Sequence, residues 1–138
     1  MNTTQITVEA LVAADAQKVW NYWTKPEHII RWNFAIDTWH CPSAENDLRT
    51  GGKYKARMEA KDGSFGFDFE AIYDEIADKK KIAYTMEDGR KAITHFENEN
   101  GKIKVTTTFD AENTNPVDMQ QQGWQAILNN FKKYTENN

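Results

Sequence analysis

Three dipeptides, Asp62-Gly63, Asp88-Gly89 and Asn100-Gly101, separate runs in which apolar and polar residues alternate with a period of two. Such pairs supply the positive-φ residues of tight hairpin turns, and a period of two sends successive side chains to opposite faces of a strand. Lys53 to Ala60 puts Tyr54, Ala56 and Met58 on one face and Lys53, Lys55, Arg57 and Glu59 on the other. Phe65, Phe67, Phe69, Ala71 and Tyr73 then alternate with Gly66, Asp68 and Glu70. A charged turn, Asp78-Lys79-Lys80-Lys81, precedes Ile82, Tyr84 and Met86; Ala92, Thr94 and Phe96 follow, then Ile103, Val105, Thr107 and Phe109. The pattern predicts an antiparallel meander with one wet and one apolar face. The apolar face needs a cover.

The last third of the chain provides one. Asn115-Pro116 reads as a helix cap followed by Pro at the first position, and Val117, Gln121, Trp124, Leu128 and Phe131 recur at helical spacing. About twenty residues at ~1.5 Å each span roughly 30 Å, the width of a small domain. The apolar side of this helix must lie on the sheet and form one wall of any cavity there. Gly123, in mid-helix, costs about 0.5–1 kcal/mol relative to Ala; it reads as close packing that lets Trp124 lie flat.

Ahead of the meander, Gln5 to Val12 alternates as a half-buried strand. Asp15 caps a segment from Ala16 to Trp23, and Thr24-Lys25-Pro26-Glu27 has capping-box spacing, which predicts a second short helix to about Trp32. Trp39 to Cys41 reads as the second strand, and Gly51-Gly52 as a turn or bulge.

At 138 residues the chain is expected to form one domain, residues 1–138, large enough to bury a core without metal or disulfide staples. Its 17 basic residues are scattered among 21 acidic ones, for a net charge of −4, so no cationic tract exists to hold nucleic acid or an anionic membrane surface. The N-terminus lacks a basic region followed by an apolar run, so the expected location is the cytoplasm and the Asn2-Thr3-Thr4 sequon is a chance match. The single cysteine, Cys41, excludes an internal disulfide.

No catalytic constellation emerges. His40 and Cys41 are adjacent on a strand and point to opposite faces, His28 is expected to be exposed, and His95 falls out of phase with its inward neighbours. Three separated histidines and one cysteine lack metal-ligand spacing, so neither a metal nor a cofactor is expected. Asp68 and Glu70 share the face of Lys55 and Arg57, where cross-strand charge pairing accounts for them.

Val19-Trp20, Pro26-Glu27-His28, Trp32, Asp47-Leu48-Arg49 with Gly51-Gly52, Ile82-Ala83-Tyr84-Thr85 and Gly123-Trp124 occur in an order that resembles the Hsp90-ATPase-activator-homologue family. That family belongs to the wider START-like (SRPBCC) helix-grip superfamily. The resemblance runs from about Ile6 to Tyr134. It implies an α+β helix-grip fold: a curved antiparallel sheet of about seven strands around a long C-terminal helix, with two short helices after the first strand. The superfamily is known for apolar cavities holding lipids, polyketides or plant hormones.

The candidate ligand site is therefore the apolar sheet face with the inner side of the last helix. Trp39, Tyr54, Met58, Phe67, Phe69, Tyr84, Met86, Phe96 and Thr107 would line it from the sheet, and Gln121, Trp124 and Leu128 from the helix. The competing reading is that these residues fill a core, the usual fate of aromatics at such periods. The expected function is binding of a small apolar or aromatic molecule. The alternatives are a chaperone (Hsp90-type) ATPase modulator and a cyclase or hydrolase acting on the cavity's occupant. A protein partner or a homodimer is left open.

Overall fold

The computed structural model describes residues 4–138; most of the Asn2-Thr3-Thr4 tripeptide lies outside the described residues. Strand β1 (Gln5–Val12) is followed by helices α1 (Ala16–Thr24) and α2 (Pro26–Trp32). Strands β2 (Trp39–Asn46), β3 (Lys53–Ala60), β4 (Gly66–Ala77), β5 (Lys81–Met86), β6 (Lys91–Glu99) and β7 (Lys102–Asp110) then precede helix α3 (Val117–Asn137). All seven strands form one antiparallel sheet in the order β1-β7-β6-β5-β4-β3-β2. This is the curled α+β sheet-and-helix architecture that the sequence predicts.

The hairpins follow from their turn chemistry. Asn100 and Gly101 both take positive φ, 54° and 83°, which suits the twist of adjoining strands and sets Glu99 opposite Lys102. From there the β6–β7 register runs back unbroken to Ala92 opposite Phe109. At the other end, Gly51 has φ 84°, and a Cβ on Gly52 would sit 2.0 Å from the Asp47 carbonyl oxygen. The two glycines exchange backbone hydrogen bonds with Tyr73 and tie the β2–β3 connection to β4.

Two local expectations give way to tertiary geometry. The capping box does not form: Thr24 ends α1 and its hydroxyl donates 2.7 Å to the Trp20 carbonyl, while Lys25 occupies the α2 N-cap without a side-chain cap. In α3 the N-cap is Pro116, one residue later than expected. Gln120 seals that end instead, donating from Nε2 to the carbonyls of Glu112 and Asn115 and accepting from the Glu112 amide. The Asp15 cap does form, accepting from Lys18 N–H at 2.8 Å.

An aromatic junction joins the helices over the concave face. Trp23 stacks on Trp32 at 5.0 Å, and both meet Phe131 of α3 edge-on at 4.8 and 5.0 Å. Phe96 meets Trp20 and Trp23 edge-on from the sheet. Val12, Val19, Ile29, Val105, Phe109 and Phe131 are buried to 1% exposure or less. The fully packed core therefore lies under α1, α2 and the C-terminal half of α3, leaving the β3–β5 side of the concave face less filled. Among the described residues, no helix is long and apolar enough to cross a membrane.

Candidate functional site

Between the sheet and α3 lies a partly open cavity of about 210 Å³. Its floor follows from strand pairing. Tyr73 of β4 faces Tyr84 of β5, Ile82 of β5 faces Thr94 of β6, and Thr94 faces Thr107 of β7. Thr107 in turn faces Val8 of β1, which continues the same inward row. Met58 and Phe67, partners across β3 and β4, close one side together with Phe69 and Tyr54. Trp124, Ile127 and Leu128 form the helical wall, and Trp23, Trp32 and Asn33 enter from the α1–α2 side.

Each polar group in this lining has a definable state. The Thr94 and Thr107 hydroxyls are buried and lie 2.8 Å apart. Asn33 Nδ2 donates to the Tyr54 hydroxyl at 3.3 Å, and the Tyr73 hydroxyl donates to Asn46 Oδ1 at 2.5 Å. Burial pushes the phenols of Tyr54, Tyr73 and Tyr84 well above their ordinary range, and the mutual proximity of the rings adds to the effect on Tyr54 and Tyr73. All three stay uncharged over the physiological range. The Tyr54 and Tyr84 rings are nearly parallel, 6.3 Å apart and inclined by 23°. Trp124 lies flat on Phe109, 3.8 Å away and inclined by 11°.

The structure sorts the sequence-derived candidates into two groups. Tyr54, Met58, Phe67, Phe69, Tyr84, Thr107, Trp124 and Leu128 meet around the cavity. Trp39, Met86, Phe96 and Gln121 lie elsewhere. Trp39 packs beside Cys41, Ala56 and Met58 and meets Phe65 and Phe67 at 5.8 and 6.1 Å. Met86 and Phe96 are buried in the packed core, Phe96 beneath the α1 tryptophans. Gln121 is exposed on the outer side of α3, and its neighbour Gln120 is the buried residue. The inward stripe of α3 is thus rotated by one residue at its N-terminal end, because Gln120 is drawn in to bond the preceding loop.

Sequence reasoning missed Val8, Trp23, Trp32, Asn33, Tyr73, Ile82 and Ile127 as lining residues. Tyr73 and Ile82 were legible by phase, since they share the inward parity of Phe69 and Tyr84 on their own strands, whereas Val8 lies on β1, which supplied no candidate. The helical contributors depend on how α1 and α2 dock, which no local period states. Gly123 also differs from expectation. A Cβ there would meet nothing within 4 Å, so the flat Trp124 does not require a glycine beside it.

The remaining titratable groups fall outside the cavity. His40 faces Glu59 across the outer surface at 3.8 Å, while Cys41 is buried inward, its thiol pushed up by burial. His28 is not exposed: it stacks on Tyr22 at 3.9 Å, with Nδ1 2.7 Å from the Tyr134 hydroxyl. Arg57 pairs with Asp68 at 3.6 Å, and Lys53 pairs with Glu70. Among the described residues no group of three His, Cys, Asp or Glu side chains could hold a metal ion.

The model of the activator of Hsp90 ATPase homolog 1-like protein family matches residues 13–136. The solution structure of the AHSA1-like protein from Aeromonas hydrophila is 40% identical, covers 97% of this chain and 93% of its own, and superposes with a TM-score of 0.91. A protein from Cytophaga hutchinsonii is 49% identical over 96% of this chain and 92% of its own, with a TM-score of 0.84. A Nitrosomonas europaea protein at 16% identity shares the fold alone, covering 96% of this chain and 94% of its own with a TM-score of 0.83. No protein of curated function matches the chain.

Proposed function

The chain belongs to the activator of Hsp90 ATPase homolog 1-like family, and from that premise we propose that it binds a small apolar or aromatic molecule between the sheet and α3. The cavity of about 210 Å³ carries the reading, because its walls are aromatic and aliphatic with a few hydroxyls placed among them. That composition matches a ligand site, where apolar contact supplies affinity and isolated polar groups supply orientation. A small ligand binding the native state alone would stabilise it by RT ln(1 + [L]/Kd).

Native mass spectrometry of the freshly purified protein, with a thermal-shift series of neutral aromatics, tests this. A bound mass or a saturable rise in Tm supports the reading; neither result across chemically varied compounds refutes it. Trp124→Phe keeps the stack on Phe109 but narrows the wall. It is expected to change ligand affinity more than Tm, and a change in Tm alone would make Trp124 a core residue only.

A second reading rests on an adjoining surface that shares Phe67 with the cavity. Phe65 and Phe67 are 62% and 43% exposed and meet Trp39 in one aromatic cluster at the end of the β3–β4 hairpin. Exposed aromatic clusters suit protein docking, and the family's namesake activity suggests an Hsp90-type ATPase as the partner. Stimulation of such an ATPase by the protein, lost in Phe65→Ser, would support it; unchanged ATP turnover on adding the protein would end it.

A further inference from the structure

Among the described residues, no acidic or basic side chain lines the cavity. The charge that acts on Tyr84 from outside is Arg90, and its guanidinium is committed to Asp88 at 2.7 Å and lies 3.4 Å from the Asp110 carbonyl. A carboxylate or ammonium group moved into this space would lose its hydration and find no counter-ion. A neutral molecule carries no such cost. The lining itself therefore distinguishes ligands by charge.

The hydroxyls narrow the choice further. Thr94 and Thr107 share one hydrogen bond, Tyr54 accepts from Asn33, and Tyr73 donates to Asn46. Tyr84 lines the same cavity, and its hydroxyl has no hydrogen-bond partner among the described residues. A phenol in the wall of an apolar space, with no bond of its own, can donate to an acceptor brought there. The nearly parallel Tyr54 and Tyr84 rings, 6.3 Å between centroids, offer flat faces beside it.

We propose that the cavity selects uncharged aromatic molecules bearing a hydrogen-bond acceptor, a carbonyl or ether oxygen, which receives the Tyr84 O–H. This inference rests on the cavity being the ligand site, as proposed above. It excludes free carboxylic acids in their ionised form, simple fatty acids among them, although their apolar portions would suit the walls.

Four related probes separate the components: methyl cinnamate, cinnamate, cinnamylammonium and propenylbenzene. Their affinities can be read from amide chemical-shift titrations of the full chain at neutral pH. The ester is expected to bind at least about tenfold more tightly than either ion, from the desolvation of an unpaired charge. It should exceed propenylbenzene by roughly two- to tenfold, the value of one hydrogen bond. In Tyr84→Phe the ratio of ester to propenylbenzene affinity should fall toward one. Cinnamate binding as tightly as its ester would overturn the charge selection, and an unchanged ratio in Tyr84→Phe would overturn the role of the hydroxyl. Should that variant fail to fold, the ester-to-ion comparison on the unaltered protein still decides the charge selection. Failure of both neutral probes to bind the unaltered protein would overturn the ligand site itself, and this inference with it.

Discussion

Thr135 on α3 is 0% exposed, and its hydroxyl has no hydrogen-bond partner among the described residues. Thr94 is nearly as buried, yet its hydroxyl is paired with that of Thr107. The same substitution should therefore have opposite signs at the two sites. Thr135→Val removes an unsatisfied group at nearly constant volume and is expected to stabilise by about 1 kcal/mol. Thr94→Val strands the Thr107 hydroxyl and should cost about 1–2 kcal/mol, most of it recovered in the Thr94→Val/Thr107→Val double variant. Chemical denaturation of the four proteins checks both signs. Gly123 gives a third residue-scale test. Because a Cβ meets nothing within 4 Å, Gly123→Ala should raise stability by about 0.5–1 kcal/mol. A loss of stability would show that the helix needs the glycine. The residue type at each of these positions is plain in the sequence, but whether a hydroxyl is paired depends on a neighbour thirteen residues away across a ladder.

Among the elements, the helices hold together partly through one histidine. His28 of α2 stacks on Tyr22 of α1 and contacts the Tyr134 hydroxyl of α3. Burial lowers its pKa below the ordinary 6.5; Lys25 and Arg31 act in the same direction and Glu27 opposes them. The native state therefore binds this proton more weakly than the unfolded chain. The associated stability is present above about pH 6.5 and declines as the pH falls below it. Glu136 adds to the trend at lower pH. Its carboxylate accepts from Lys132 and the Ala13 amide, its pKa is lowered, and its contribution is lost as the pH falls through the carboxylate range. In His28→Gln, the loss of stability between ~pH 7.5 and ~pH 5.5 should be smaller than in the unaltered protein. An equal loss would assign the dependence to other groups. Element boundaries were most legible where the period was clean. Strands β1 and β3 begin and end where their alternation does, at Gln5–Val12 and Lys53–Ala60. Strand β4 runs on to Ala77 through a register shift after Tyr73, and β2 continues through a shift after His40. Each shift breaks the period of two and hides the rest of its strand.

On the scale of the whole molecule, helix α3 is the cover that makes the concave face a core on one side and a cavity on the other. It presents Phe131 to the tryptophans of α1 and α2, and Trp124 to Phe109 of β7. A chain truncated after Asn115 would expose those surfaces together. It is expected to lose cooperative thermal unfolding and bind a hydrophobic dye, the signature of collapsed but unpacked states; a sharp unfolding transition would contradict that. The sequence by itself determined the order and type of the elements, the antiparallel meander and the inward face of its clean strands, and its ordered motifs pointed to the family. These are properties of period, turn residue and caps, all carried within a few positions of chain. Only the tertiary structure decided which inward side chains fill space and which surround it. Phe96 and Thr94 have the same parity on one strand, but the tryptophans of α1 settle onto Phe96 and leave Thr94 lining a void. Whether a residue belongs to a core or a cavity depends on the docking of remote elements, and local periodicity contains no record of that distance.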